Sequence, residues 1–251
     1  TLVSVPAVCY NAGASHGVVL HALVPALLTN VFVVGVNQLA DIKVDCINKP
    51  GLPLASGELT PRMARRITTW CILGAILSSQ SSPWLLGTTL TSAAVGFAYS
   101  CEPVRLKRSA LAAMACIVFV RGLVVNVGFA RYAGGVVNWW LVAFFSVFAV
   151  LISVLKDVPD TVGDAANGLP SFALMTSRAA VLTEVTRLVT VMGAFAVAAQ
   201  PTRIRRVVAV NAMGSWILMS LLTNPSDDHE VRRLYKMLWV LFYVAYLTLM
   251  L

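Results

Sequence analysis

Apolar and polar positions along this chain fall into long blocks, with no short alternation. Val18 to Val36 carries no charged residue and only His21 as a titratable group, and Trp84 to Cys101 has no titratable side chain beyond Tyr and Cys. Apolar runs of about 18–20 residues, rising 1.5 Å each, match a hydrocarbon core about 30 Å thick. The blocks predict helices near 17–40, 61–80, 84–101, 109–131, 138–156, 177–199, 206–223 and 231–251. Thr1 to Cys9 reads as the end of a further helix already under way. Ser81-Ser82-Pro83, Gly134-Gly135, Gln200-Pro201 and Asn224-Pro225-Ser226 supply the turns between them. The expected architecture is an all-α, polytopic transmembrane bundle of about nine helices. It forms one domain over residues 1–251, with no room for a soluble second unit.

Composition sharpens this picture. Only 12% of the residues are charged against 58% hydrophobic, where a soluble domain carries roughly 25% charged. Five cysteines (Cys9, Cys46, Cys71, Cys101, Cys116) and three histidines show no CxxC or HExxH spacing, so they signal neither a disulfide framework nor a zinc site. The net charge is +8, and most of the cations cluster after alternate helices. Lys43, Lys49, Arg62, Arg65 and Arg66 form one group, followed by Arg105, Lys107 and Arg108, then Lys156 and Arg178, then Arg232, Arg233 and Lys236. The other face holds only Arg131, Arg203, Arg205 and Arg206. The positive-inside rule puts the richer face in the cytosol or its equivalent, and topogenesis explains the basicity without nucleic acid.

The acidic residues are placed unevenly. Asp41 and Asp45 close one even-numbered helix, and Asp157, Asp160 and Asp164 close another, both on the basic face. Helical spacing would set Asn37, Asp41 and Asp45 in one oxygen-lined stripe, and the other three aspartates in a second. Two facing carboxylate stripes repel unless cations sit between them, and hard, oxygen-seeking Mg²⁺ suits that arrangement. Lys49, Arg62, Arg65, Arg66, Arg105, Lys107 and Lys156 nearby could hold phosphate. Carboxylates and cations at a membrane face, above apolar helices, describe a site for a lipid diphosphate.

These residues resemble a known family. Asn37 to Asp45, followed by Asn48 to Glu58, resembles the first aspartate-rich motif of the UbiA superfamily of intramembrane prenyltransferases, and Lys156 to Asp164 resembles the second. Tyr99-Ser100 with Pro103 and Arg105 to Arg108 is similar to the Tyr-and-Lys segment after that family's fourth helix. Asn37-Gln38, Leu52-Pro53 and Val120 to Asn126 resemble the homogentisate prenyltransferase branch. The likeness is strong from Val31 to Phe172 and weaker beyond, where Tyr235 to Tyr246 resembles the last helix. It implies a prenyl diphosphate donor, an aromatic acceptor and two Mg²⁺ ions held by Asn37, Asp41, Asp45, Asp157, Asp160 and Asp164. Asp41, Asp45, Asp160 and Asp164 would carry catalysis, with Lys49, Arg105, Lys107 and Lys156 on the diphosphate. Arg121 and Asn126, polar residues inside a span, become candidates for the acceptor. Ala40 and Gly51 replace aromatic residues usual in that branch, which points to a wider or reshaped donor pocket. Two rival functions use the same features: a terpene cyclase on this scaffold, which ionises the same donor, and a transporter with intramembrane carboxylates. A transporter fits worse, since no internal repeat is visible and the carboxylates lie at a membrane face.

Overall fold

The computed structural model describes residues 1–248, and the last stretch of the expected final helix, 249–251, lies outside the described residues. Among the described residues every regular element is helical. The long helices are α2 (His16–Ala40), α4 (Pro61–Ser79), α5 (Pro83–Ser100), α8 (Trp139–Leu155), α11 (Arg178–Ala198), α12 (Arg203–Leu222) and α13 (Asp228–Leu247). Between α5 and α8, α6 (Ala110–Val118) and α7 (Val125–Tyr132) are joined by a π turn, Phe119–Val124, into one rod. Short helices fill the connections: α1 (Ser4–Asn11), α3 (Ile42–Asn48), α9 (Thr161–Ala166) and α10 (Phe172–Met175).

Local chemistry sets the helix starts. Thr60, Ser109, Asn138, Ser177, Thr202 and Asp227 each cap the following helix by accepting a backbone N–H, satisfying donors that a first turn leaves free. Pro61 and Pro83 sit at first-turn positions, where the missing N–H costs nothing.

The outer surface of the bundle is apolar where that of a soluble protein is polar. On α2, Leu20, Val24, Leu27, Val31 and Val34 recur every three or four residues along one exposed face, a stripe suited to lipid. His16–Ala40, Ala110–Tyr132 and Arg178–Ala198 are long and apolar enough to cross a membrane. Polar groups lie inside: Asp45, Asn48, Lys107, Asn126 and Asp160 are all buried. An apolar core ties α1 and α2 to α8, α11 and α13, with Phe145 stacked on Tyr246 at 3.6 Å between ring centres. Where α8 crosses the π turn there is no space for a side chain: a Cβ on Gly122 would meet the backbone of Ser146 at 2.6 Å.

Both expected carboxylate stripes need correction. Neither is a continuous helix. α2 ends at Ala40 and the chain breaks at Asp41 (φ −113°, ψ 15°) before α3. α8 ends at Leu155, and the second break reaches Asp160 (φ −102°, ψ 4°) before α9. In both motifs an aspartate occupies the sparsely populated bridge region between two helices. The break turns α3 and α9 across the mouth of the bundle, where they pack on each other.

Candidate functional site: two broken helices over an apolar cavity

The two breaks are clipped together by Asn48. Its Oδ1 accepts from the Gly163 backbone N–H at 2.9 Å, and its Nδ2 donates to Asp164 Oδ1 at 3.3 Å. Gly163 has no alternative, because a Cβ there would run into the Asn48 carboxamide. A similar tether holds the second break from behind: Arg178 Nε donates to Val158 O at 2.9 Å while its guanidinium pairs with Asp228.

Below the clip lies a cavity of about 770 Å³. Its mouth is lined by Asn37, Asp41, Asp45, Asn48, Lys49, Lys107, Lys156, Asp157, Asp160 and Asp164. Its depth is apolar, passing Val33, Ile117, Val120, Ile152 and Phe242 to Ala26 and Phe129. From Asp41 to Ala26 along α2 is about 22 Å at 1.5 Å per residue, enough length for an extended hydrocarbon chain.

Each half of the mouth has its own charge pattern. Asp41 accepts from Asn37 Nδ2 at 3.2 Å and pairs with Arg105 at 3.5 Å. The Lys107 ammonium pairs with Asp41 Oδ2 at 2.5 Å. Arg105 reaches Asp41 from a left-handed backbone conformation, φ 35°, which is unusual for a side chain with a Cβ. On the other half Asp160 pairs with Lys49 and lies 3.5 Å from Arg232, whose other nitrogen donates to Pro159 O at 3.1 Å. Lys156 pairs with Asp157. Asp45 and Asp164 have no ion pair among the described residues, and their carboxyls are the ones pushed furthest up. Burial raises Asp45 to about 6, with Asp41 and Asp160 adding repulsion. Burial raises Asp164 to about 7, reinforced by Asp157 and Asp160. Burial also lowers the Lys107 ammonium pKa, partly offset by Asp41.

That pattern bears on whether the residues fit a divalent cation. Burial and the charges of neighbouring aspartates make both carboxyls costly to ionise without a cation beside them. Among the described residues no three Asp, Glu, His or Cys side chains converge on one point. A ligand set of separated carboxylates fits Mg²⁺ whose remaining positions are taken by phosphate oxygens and water. It does not fit a metal caged by protein alone, so the expected ready-made stripes give way to an open donor set.

Other expected residues are distributed unevenly. Arg121 lines the cavity, with its guanidinium 4.7 Å from the centre of the Trp239 ring and no ion pair among the described residues. Glu184, on α11, pairs with Arg187 on the bundle surface at 3.7 Å and not with Arg121. Asn126 corrects the sequence expectation. It is buried and absent from the cavity wall, its Nδ2 donates to the Arg121 and Gly122 carbonyls, and its Oδ1 accepts from Tyr246 at 3.1 Å. With those bonds made it closes the π turn that carries Arg121, and it has little left for a ligand. Arg105 acts on Asp41 from outside the cavity lining, and Arg62, Arg65 and Arg66 lie on exposed α4 away from it. Ala40 and Gly51 do not line the cavity either, so they do not widen it.

Sequence reasoning passed over Asn48, Gly163, Arg232, Tyr235 and Trp239 as site residues. The last three had a readable signal: Arg232, Tyr235, Trp239, Phe242 and Tyr246 recur every three or four residues on α13, and all five line the cavity.

Comparison with known proteins bears on this geometry. Residues 1–244 match the profile of the UbiA prenyltransferase family. A homogentisate phytyltransferase from Synechocystis is 35% identical, over 94% of this chain and 82% of its own length. A chloroplastic homogentisate phytyltransferase from Arabidopsis thaliana is 33% identical over 92% of this chain, which spans only 64% of that protein. A UbiA homologue from Archaeoglobus fulgidus, solved with GPP and Mg²⁺, shares the fold at a TM-score of 0.69 and 14% identity, over 100% of this chain and 94% of that one.

Proposed function

Because this chain belongs to the UbiA prenyltransferase family and is thus an integral membrane protein, we propose that it is an Mg²⁺-dependent aromatic prenyltransferase. In this reading it moves a prenyl group from its diphosphate to a homogentisate-like acceptor inside the bilayer. The observation that carries the proposal is the joining of two aspartate-bearing helix breaks over a long apolar cavity. The homogentisate transferases among its relatives support the choice of acceptor.

The mouth holds the diphosphate through Lys49, Lys107, Lys156 and Arg232, while Arg105 orients Asp41. Asn37, Asp41, Asp45, Asp157, Asp160 and Asp164 would hold Mg²⁺, which when bound would supply the positive charge that makes diphosphate a good leaving group. The C1–O bond breaks with its electron pair leaving on the diphosphate. The allylic cation left behind is enclosed by apolar walls that keep water away. An electron-rich ring carbon of the acceptor bonds to C1, and loss of that carbon's proton restores aromaticity. Arg121, backed by Trp239, is the group that can grip an acidic acceptor within the cavity. The mouth faces the cytosol or its equivalent, because α3, α9 and most of the chain's basic residues share that end.

The test is incubation of purified protein with Mg²⁺ and prenyl diphosphates of several lengths, with and without homogentisate, followed by product identification. A product containing both substrates is expected. A cyclic hydrocarbon or alcohol made from the diphosphate alone, indifferent to acceptor, would replace this reading with a terpene cyclase.

A further inference from the structure

A second apolar groove lies at the opposite end of the bundle, between α8, α11, α12 and α13. It runs along α8 from Trp140 to Leu151, about 16 Å at 1.5 Å per residue. Gln200 and Trp140 stand at its mouth and Ala209 on its α12 wall. Trp140 is a residue type that favours the headgroup level of a bilayer.

The charges beside this mouth are uncompensated. Arg203, Arg205 and Arg206 open α12, and none forms an ion pair among the described residues. None of the chain's 11 acidic residues lies in the turns of this face. Arg205 precedes Ala209 by four residues, so it shares the helix face that lines the groove. Its Nε is buried without a hydrogen-bond partner. Arg206 Nε donates to the backbone carbonyl of Gln200 at 2.7 Å, which brings its guanidinium to the groove mouth. Arginines kept on the face that the positive-inside rule leaves poor in cations call for an anion there. The forked geometry of a guanidinium suits a phosphate diester.

We infer that this groove is a binding site for an anionic phospholipid, with one acyl chain along Trp140 to Leu151 and the headgroup phosphate on Arg205 and Arg206. The site is separate from the aspartate-lined mouth, and the substrate cavity does not share its lining. A zwitterionic lipid offers the same chain, but its own cation cancels the charge that the arginines would read.

Trp140 makes occupancy measurable. The whole chain is placed in phosphatidylcholine vesicles containing either acyl-brominated phosphatidylglycerol or acyl-brominated phosphatidylcholine at equal mole fraction, and tryptophan quenching is recorded. Brominated phosphatidylglycerol is expected to quench several-fold more efficiently at low mole fraction. That excess should vanish in Trp140→Phe, which leaves the arginines intact. It should vanish in the double variant Arg205→Gln, Arg206→Gln, and return in large part in Arg205→Lys, Arg206→Lys. Equal quenching by the two lipids in the unaltered chain would overturn the inference. So would an excess that survives Trp140→Phe or the double glutamine variant, because the anionic lipid would then be bound elsewhere. If the glutamine variant fails to fold, the comparison of the unaltered chain with Trp140→Phe decides occupancy, and its loss with added salt decides the charge requirement.

Discussion

Replacing Arg121 by Gln tests the assignment of the acceptor end of the cavity. The Arg121 guanidinium stacks on Trp239, lines the cavity and has no ion pair among the described residues. A carboxylate on the acceptor would be its anion. A hydrogen bond involving a charged group is worth about 1.5–3 kcal/mol, and each 1.4 kcal/mol is a factor of ten. Arg121→Gln should therefore lower kcat/KM for homogentisate by about 10- to 150-fold, mostly through the acceptor KM. Arg121→Lys should fall between, since the ammonium keeps the charge but not the fork. The substitution also removes the cation–π contact with Trp239, about 0.5–2 kcal/mol, so a loss of fold must be told apart from a loss of grip. The assay makes that separation with a second acceptor, a methylhydroquinone that lacks the carboxylate. Both variants should use it about as well as the unaltered enzyme. Equal loss with both acceptors, or a change confined to the donor KM, would refute the reasoning.

Four further substitutions probe the mouth. Asp41→Asn and Asp160→Asn should each cut turnover at least about 100-fold with the protein still inserted and folded, in line with losing a group that acts on the developing charge. Near-normal turnover in either variant, or full turnover in EDTA, would remove the metal from the scheme. Lys107→Ala should raise the donor KM or lower kcat by about tenfold or more while leaving the acceptor KM alone, because in the proposed reading its ammonium, beside Asp41, serves the diphosphate. A purely acceptor-side effect would move Lys107 out of the diphosphate site. Gly163→Ala should displace the Asn48 carboxamide and loosen Asp164, costing about 1–3 kcal/mol in thermal unfolding. An unchanged melting temperature with full activity would show that the clip between α3 and α9 is dispensable.

Much of this protein was legible in the chain. Apolar runs such as Val18 to Val36 had to become spanning helices, because lipid satisfies no backbone group and only a helix satisfies its own. The Ser81-Ser82-Pro83 turn located the start of the next helix to within a residue or two. The family resemblance picked out both aspartate motifs, since a motif is a local pattern. Three-dimensional matters were decided elsewhere. Periodicity treated Asn37 to Asp45 as one helical stripe, whereas the chain breaks at Asp41 so that α3 can meet α9, a contact between segments more than 100 residues apart. Asn126 and Arg121 looked alike as polar residues within one span, yet only Arg121 faces the cavity. Asn126 is consumed by two carbonyls of its own π turn and by Tyr246 from α13. Sequence sets which groups prefer lipid, water or a turn. Which carboxylates share a wall, and which polar side chains are left with a hydrogen bond to spare, is settled only when distant helices pack.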